Sequence, residues 1–152
     1  MNILMKRVTE IMSEGPVDVV ERGLNVMYAA SIMKERVRGS LVVVDNGKPV
    51  GIITERDIVR RLVAEGKSAS ATKVGEIMST PLISVGPEAT VAAAVRVMYE
   101  NGIRRLPIVE DDRVIGMLTV TDLARVLYRE REKSDEILRA MARFKELERT
   151  VK

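Results

Sequence analysis

The sequence predicts a mixed α/β (α+β) fold made of two β-α-β-β-α units and a C-terminal helix. Three observations lead to this prediction: an internal repeat, apolar runs that alternate between strand and helix spacing, and an Asn-Gly turn between two apolar runs. A chain of 152 residues buries roughly 70% of its unfolded surface, enough for one body. We expect the units to pack sheet face against sheet face, because each is too small to stand alone.

The internal repeat has an offset of 65 residues, the separation between Thr54 and Thr119. At this offset GIITERDI (51–58) reappears as GMLTVTDL (116–123), and 11 of the 38 residues in 26–63 are identical. Unrelated segments of ordinary composition would match at roughly two or three positions. One residue out of step, 8–12 matches 74–78. The chain is therefore a duplicated unit.

Six short apolar runs predict three strands in each copy, at 17–20, 41–44 and 50–53, then at 82–85, 106–109 and 114–118. The last two runs of each copy flank a short polar stretch, 45–48 in the first copy and 110–113 in the second. In the first copy this stretch includes Asn46-Gly47, the strongest short signal for a β-hairpin. Each copy is predicted to contain a single strand followed by a hairpin.

Helical spacing follows the first strand and the hairpin of each copy. Apolar residues recur three and four apart from Val26 to Val37, and Thr90 is a good N-cap for the equivalent helix. The second helices begin at Thr54 and Thr119 and are predicted to run to about residues 64 and 128.

The chain therefore divides into a first unit (5–65), a connector of small and polar residues (66–73), a second unit (74–128) and an amphipathic C-terminal helix (129–152). The composition of the connector predicts that it is flexible. The last segment has eight basic and six acidic residues, with apolar residues at 137, 140, 144, 147 and 151. We expect this stripe to pack on its own domain or on a partner subunit, since a membrane or DNA helix needs a more cationic face.

Composition excludes several kinds of chemistry. The chain has no His and no Cys, so it has no His-based nucleophile pair, no thiolate or imidazole metal site and no disulfide. The net charge is +3, yet 25 basic residues are mixed with 22 acidic ones, and three Tyr and one Phe offer few stacking platforms, so we expect no nucleic-acid partner. No apolar run approaches a membrane span, and we expect a cytoplasmic protein.

The repeated Thr-x-x-Asp motif points to an anion and a diol. Thr54 with Asp57, and Thr119 with Asp122, stand where a strand enters a helix. The unpaired N–H groups of a helix start accept phosphate oxygens, and a carboxylate accepts both donors of a ribose diol. The phosphate would need a cation, for which the candidates are Arg38 in the first unit and Arg104 and Arg105 in the second. The alternative is a capping box, in which the same side chains only satisfy backbone donors of the helix.

Both repeated motifs, together with RLPIV at 105–109 and EIMS at 76–79, resemble the cystathionine β-synthase (CBS) domain family. The resemblance covers about 8–64 and 74–128 and is typical of a tandem CBS pair, or Bateman module. It implies two units packed by their sheets about a pseudo-twofold axis, with two clefts for adenosyl ligands, and pairing of two modules into a homodimer.

The resemblance also assigns candidate residues to the two clefts. Asp57 and Asp122 would bind ribose, and Thr54, Thr119 and Thr121 would face phosphate. Arg56 replaces the hydroxyl equivalent to Thr121, which makes the clefts unequal and favours the Asp122 cleft. Each cleft would borrow its base wall from the opposite unit. The Asp122 cleft would use Ser13, Pro16, Val17, Asp18, Arg38 and Gly39 with Arg104 or Arg105, and the Asp57 cleft would use Pro81, Ile83 and Ile103 with Arg38.

We therefore expect a non-catalytic sensor that binds AMP, ADP or ATP as a regulatory ligand, requires no cofactor and signals to a separate effector protein. S-adenosylmethionine or NAD is an alternative ligand. A ligand-free dimerisation scaffold is the alternative function. An enzyme is not expected, because a helix start favours the ionised carboxylate and so makes it a weak general base.

Overall fold

The structure, a computed structural model, describes residues 2–13, 16–132 and 143. It confirms the predicted pair of α+β units. The first unit contains β1 (Val19–Glu21), α1 (Val26–Arg36), β2 (Ser40–Asp45), β3 (Lys48–Thr54) and α2 (Glu55–Asp57), which continues as a π-helical segment over Ile58–Val63. The second contains α3 (Val74–Ile77), α4 (Val91–Asn101), β4 (Arg105–Glu110), β5 (Arg113–Thr119) and α5 (Val120–Glu132).

Each unit is built on an antiparallel hairpin, β2–β3 in the first and β4–β5 in the second. Both hairpins close through two residues with positive φ, which are Asn46 (51°) with Gly47 (80°), and Asp111 (50°) with Asp112 (59°). Positive φ at both central residues is the turn geometry that matches the twist of the strands, and Asn, Asp and Gly adopt it most readily. The two hairpins follow directly from the turn residues in the sequence.

The first strand of the second unit is shorter than predicted. In the first unit β1 runs parallel to β2, and the N–H of Arg22 extends the ladder to the carbonyl of Val44. In the second unit only Val85 pairs, in a single parallel bridge with Ile108. The residue equivalent to Arg22 is Pro87, which has no N–H to donate and therefore ends the ladder.

The leading segment of each unit, 2–13 in the first and 74–79 in the second, packs against the core of the other unit. Ile3, Val8 and Ile11 are buried in the core of the second unit, and Lys6 forms an ion pair with Glu130 of α5 at 3.3 Å. Conversely, α3 at the start of the second unit is buried in the core of the first. This exchange joins the units into one body, with β3 and β5 in contact between them.

The connector over 66–73, predicted to be flexible, is held in place by hydrogen bonds to α1. The N–H groups of Val26 and Met27, at the start of α1, donate to the carbonyls of Thr72 (2.9 Å) and Ala69 (3.0 Å), and Thr72 is buried. The first N–H groups of a helix have no partner within the helix, so the connector satisfies them. Its small polar residues indicate a turn here rather than flexibility.

The last described helix, α5, continues through Glu132, past the predicted end near residue 128. The predicted C-terminal helix over 129–152 therefore begins as part of α5, and its residues 133–142 and 144–152 lie outside the described residues. Among the helices that the structure describes, none combines the length and apolar character needed to cross a bilayer.

Gly51 and Gly116 are equivalent residues in close contact with the opposite unit's leading segment. A β-carbon at Gly51 would lie 2.6 Å from the carbonyl oxygen of Ser79. That carbonyl accepts the N–H of Ile52 at 3.0 Å and is fixed by this bond. A β-carbon at Gly116 would meet only side-chain atoms of Met12, which can rotate away.

We expect Gly51→Ala to lower the free energy of unfolding by about 2 kcal/mol, because a backbone contact must give way. Gly116→Ala is the matched control and should cost about 1 kcal/mol or less, since the flexible Met12 side chain absorbs the change. Urea denaturation of the two variants measures the difference. Equal destabilisation by the two substitutions would contradict this account of the crossing contacts.

Candidate functional site

A cleft of about 410 Å³ lies between the two units. The first unit contributes the chain that enters β1 and the turn between α1 and β2, while the second contributes the start of β4, the end of β5 and the first turns of α5. The lining residues are Ser13, Pro16, Val17, Asp18, Val37, Arg38, Gly39 and Ser40, with Arg105, Met117, Thr119, Thr121, Asp122 and Arg125 of the second unit.

Asp122, one of the lining residues, is buried and only 2% exposed. Its Oδ2 accepts the backbone N–H and the hydroxyl of Thr119, both at 2.9 Å, while the Thr119 hydroxyl accepts the N–H of Asp122 at 3.1 Å. This is a capping box at the start of α5. Oδ1 accepts the Ser13 hydroxyl at 2.7 Å and the Arg125 guanidinium at 3.2 Å.

Arg105 contributes a cation that has no partner among the described residues. Arg105 is half-buried, and its guanidinium lies against Gly39, where a β-carbon would overlap the present position of the guanidinium. Within the described part of the chain, the guanidinium forms no hydrogen bond and no ion pair. A half-buried guanidinium without a partner, facing a cleft, is suited to an anionic ligand.

Two other cations near the cleft, Arg36 and Arg38, are paired with Asp18. Its carboxylate, 10% exposed, accepts hydrogen bonds from Arg36 and, at 2.9 Å, from Arg38. Burial alone would raise the pKa of Asp18, but the hydrogen bonds and charges of Arg36 and Arg38 outweigh burial and lower the pKa below its usual value. Asp18 therefore stays ionised at neutral pH and occupies the Arg38 guanidinium.

The Asp57 corner repeats the same capping geometry in the first unit. Oδ2 of Asp57 accepts the N–H of Thr54 at 3.0 Å, and Oδ1 accepts the hydroxyl of Ser79 at 3.0 Å. The Arg61 guanidinium lies 3.7 Å from Asp57 and donates to the carbonyls of Ile77 and Met78.

The remaining residues predicted for the Asp57 cleft take different places. Ile83 and Ile103 pack against the core of the second unit, whereas Pro81 is exposed. None of Thr54, Asp57, Pro81, Ile83 and Ile103 lines the 410 Å³ cleft.

The sequence matches the family model described as "CBS domain" twice, over 8–64 and 74–129. The chain belongs to the CBS domain family. The CBS domain-containing protein CBSX3 of Arabidopsis thaliana, described as mitochondrial, is 38% identical over 120 residues. The match covers 76% of this chain and 58% of CBSX3, so the chain spans less than two thirds of that relative.

Solved structures of CBS proteins have the same fold. The CBS domain pair of protein MJ0100, in complex with 5′-methylthioadenosine and S-adenosyl-L-methionine, is 30% identical with a TM-score of 0.73, and the match covers 83% of this chain and 98% of that one. The hexameric CBS-CP12 protein from bloom-forming cyanobacteria is 29% identical with a TM-score of 0.71, over 92% and 88% of the two chains. CBS domain pairs are regulatory, ligand-binding modules.

Most residues predicted for the Asp122 cleft of this CBS pair do lie together around it. Ten of them line it, namely Ser13, Pro16, Val17, Asp18, Arg38, Gly39, Arg105, Thr119, Thr121 and Asp122. Of the two arginines offered for phosphate, Arg105 lines the cleft and Arg104 does not. Arg105 is the first residue of β4, whereas Arg104 precedes the strand and is exposed.

Four cleft residues were missed from the sequence: Val37, Ser40, Met117 and Arg125. Arg125 follows Asp122 by three residues on a helix, a spacing that places both on one face and could have identified it. Val37 ends α1 with a left-handed backbone (φ 54°) and is 88% exposed. The equivalent residue of the second unit is Gly102, so comparison of the two copies could have marked Val37 as unusual.

Proposed function

We propose that this CBS pair is a non-catalytic regulatory module that binds an adenosyl ligand in the Asp122 cleft, with AMP, ADP or ATP the first candidates, and signals its occupancy to a partner. The observation that carries the proposal is that the Arg105 guanidinium, which has no partner among the described residues, lies in the same cleft as the Asp122 carboxylate. A volume of about 410 Å³ falls in the range of small-molecule pockets.

The kinds of side chain that line the cleft support a nucleotide as the ligand. Arg105 and the Thr121 hydroxyl at the first turn of α5 suit a phosphate. Asp122 suits the ribose diol as an acceptor. The apolar part of the lining, formed by Pro16, Val17, Val37 and Met117, suits a planar base. These three kinds of surface match the three parts of an adenosine phosphate.

The bound adenosyl compounds of the MJ0100 pair support the same class of ligand. S-adenosylmethionine is therefore an alternative ligand. NAD is a further alternative. Occupancy would act on the partner by favouring one arrangement of the two units, to the extent that the ligand binds that arrangement more tightly. We further propose that two modules pair as a homodimer within a cytoplasmic protein.

A ligand-free scaffold is the second candidate, and a specific observation favours it. Both carboxylates already satisfy the N–H groups at the starts of their own helices. In the scaffold the Thr-x-x-Asp motifs are only caps, and the CBS pair serves to join subunits. The scaffold predicts no response to any adenosyl compound.

Thermal unfolding with a ligand panel separates the two candidates. The protein is heated alone and with millimolar AMP, ADP, ATP, S-adenosylmethionine or NAD. We expect at least one adenine nucleotide to raise the midpoint, since a ligand at 100 times its Kd stabilises the folded state by about 2.7 kcal/mol. No shift with any compound would favour the scaffold. Hydrolysis of ATP above the buffer rate would contradict the non-catalytic assignment.

A further inference from the structure

Two serines at equivalent positions form side-chain hydrogen bonds between the units. Ser13 precedes the first unit's β1 and donates its hydroxyl to Asp122 of the second unit at 2.7 Å. Ser79 precedes the second unit's core strands and donates its hydroxyl to Asp57 of the first unit at 3.0 Å. Each serine follows an Ile-Met pair, so the serine–aspartate contact is a feature of the internal repeat and occurs in both copies.

The Asp122 carboxylate has no free position for a ribose diol. Its four hydrogen bonds come from the Thr119 N–H and hydroxyl, Ser13 and Arg125, and water hardly reaches it. A carboxylate has roughly four acceptor positions, so a ligand hydroxyl can bind only where a present donor leaves.

Ser13 is the donor that costs least to replace. The Thr119 N–H and hydroxyl both belong to the helix cap, since that hydroxyl also accepts the N–H of Asp122. Removal of Arg125 would break an ion pair with a buried carboxylate. Ser13 is exposed and donates a neutral hydroxyl, so a ribose hydroxyl replaces it like for like. The displaced serine then bonds to water without leaving a buried polar group unpaired.

We propose that Ser13 is an internal competitor for Asp122, and that a ligand with a vicinal diol binds by displacing the Ser13 hydroxyl. This inference rests on the proposed function. It makes Ser13 a residue that lowers ligand affinity in this cleft. It also couples occupancy to the segment that crosses to the second unit, because binding removes a side-chain contact at the end of that segment, while Val8 and Ile11 stay in the core.

The test is the Kd of AMP for wild type and for Ser13→Ala, measured by calorimetry. We expect the variant to bind AMP about tenfold more tightly, because the competing bond to a charged acceptor is gone. Ser79→Ala removes the matched bond at the Asp57 corner and should leave the Kd of the Arg105-dependent site unchanged. Both variants should lower the melting midpoint of the free protein by a similar amount, about 2–4 °C.

A ligand without the diol separates competition from a general opening of the cleft. For 2′,3′-dideoxyadenosine 5′-monophosphate we expect wild type and Ser13→Ala to have the same Kd, since this compound cannot replace the serine hydroxyl at Asp122. An equal gain with both nucleotides would overturn the inference. So would an unchanged or weaker AMP affinity in Ser13→Ala, while AMP binding by the wild type would leave the proposed function standing. If neither protein binds any adenosyl compound, both proposals fail.

Discussion

Asp122→Ala is expected to abolish the stabilisation by adenine nucleotides and to lower the free energy of unfolding by about 3 kcal/mol. Binding is lost because the substitution removes the acceptor for the ribose diol. A helix cap alone contributes about 1 kcal/mol. The larger effect is expected because the buried carboxylate also accepts hydrogen bonds from Ser13 and Arg125, which lose their partner. Thermal and urea unfolding, each with and without AMP, measure both effects.

The matched control for Asp122→Ala is Asp57→Ala. Asp57 forms an equivalent capping box, accepts the hydroxyl of the equivalent serine, Ser79, and is 6% exposed. Its removal should therefore destabilise the protein by a similar amount. It does not line the 410 Å³ cleft, and the nucleotide shift of the Arg105-dependent site should remain. A full nucleotide shift in Asp122→Ala, or its loss in Asp57→Ala alone, would contradict the placement of the ligand.

Arg105→Gln is expected to weaken AMP binding roughly tenfold to a hundredfold, which corresponds to the loss of charge-assisted hydrogen bonds to phosphate. The affinity for adenosine should change little, because adenosine has no phosphate. Calorimetry at one fixed ionic strength measures both ligands, since salt screens the attraction between charges. The difference between AMP and adenosine isolates the contribution of the phosphate.

Arg104→Gln provides the control for Arg105→Gln. Arg104 is the adjacent residue and also basic, but it is exposed and does not line the cleft. We expect this variant to bind AMP as wild type does. Equal losses from the two substitutions would mean that only the general positive charge of the region matters, and would remove Arg105 from the site. An equal loss for adenosine would mean that Arg105 holds the cleft open rather than binding phosphate.

The fold follows from local chemistry that is visible in the sequence. The paired turns at Asn46-Gly47 and Asp111-Asp112 close the hairpins as their residue types require, and Thr90 caps α4 as predicted, accepting the N–H of Ala93. The prediction of local structure is wrong where a segment depends on hydrogen bonds to residues that are distant in the sequence. The apolar run at 82–85 forms only one bridge because Pro87 and Pro107 lack the N–H groups that Arg22 and Val42 donate in the first unit. The small polar connector is held because the start of α1 needs acceptors.

The sequence by itself determined that the chain is a duplicated α+β unit with a hydroxyl and a carboxylate at the start of each second helix, because repeats, periodicity and caps are local properties. Only the tertiary structure decided how these groups are used. The crossing of each leading segment to the opposite unit brings Ser13 to Asp122. The packing of the two units places Arg105 against Gly39 and leaves Arg104 outside the cleft. Spacing along the chain carries no information on such contacts, since they depend on how two separate cores pack against each other.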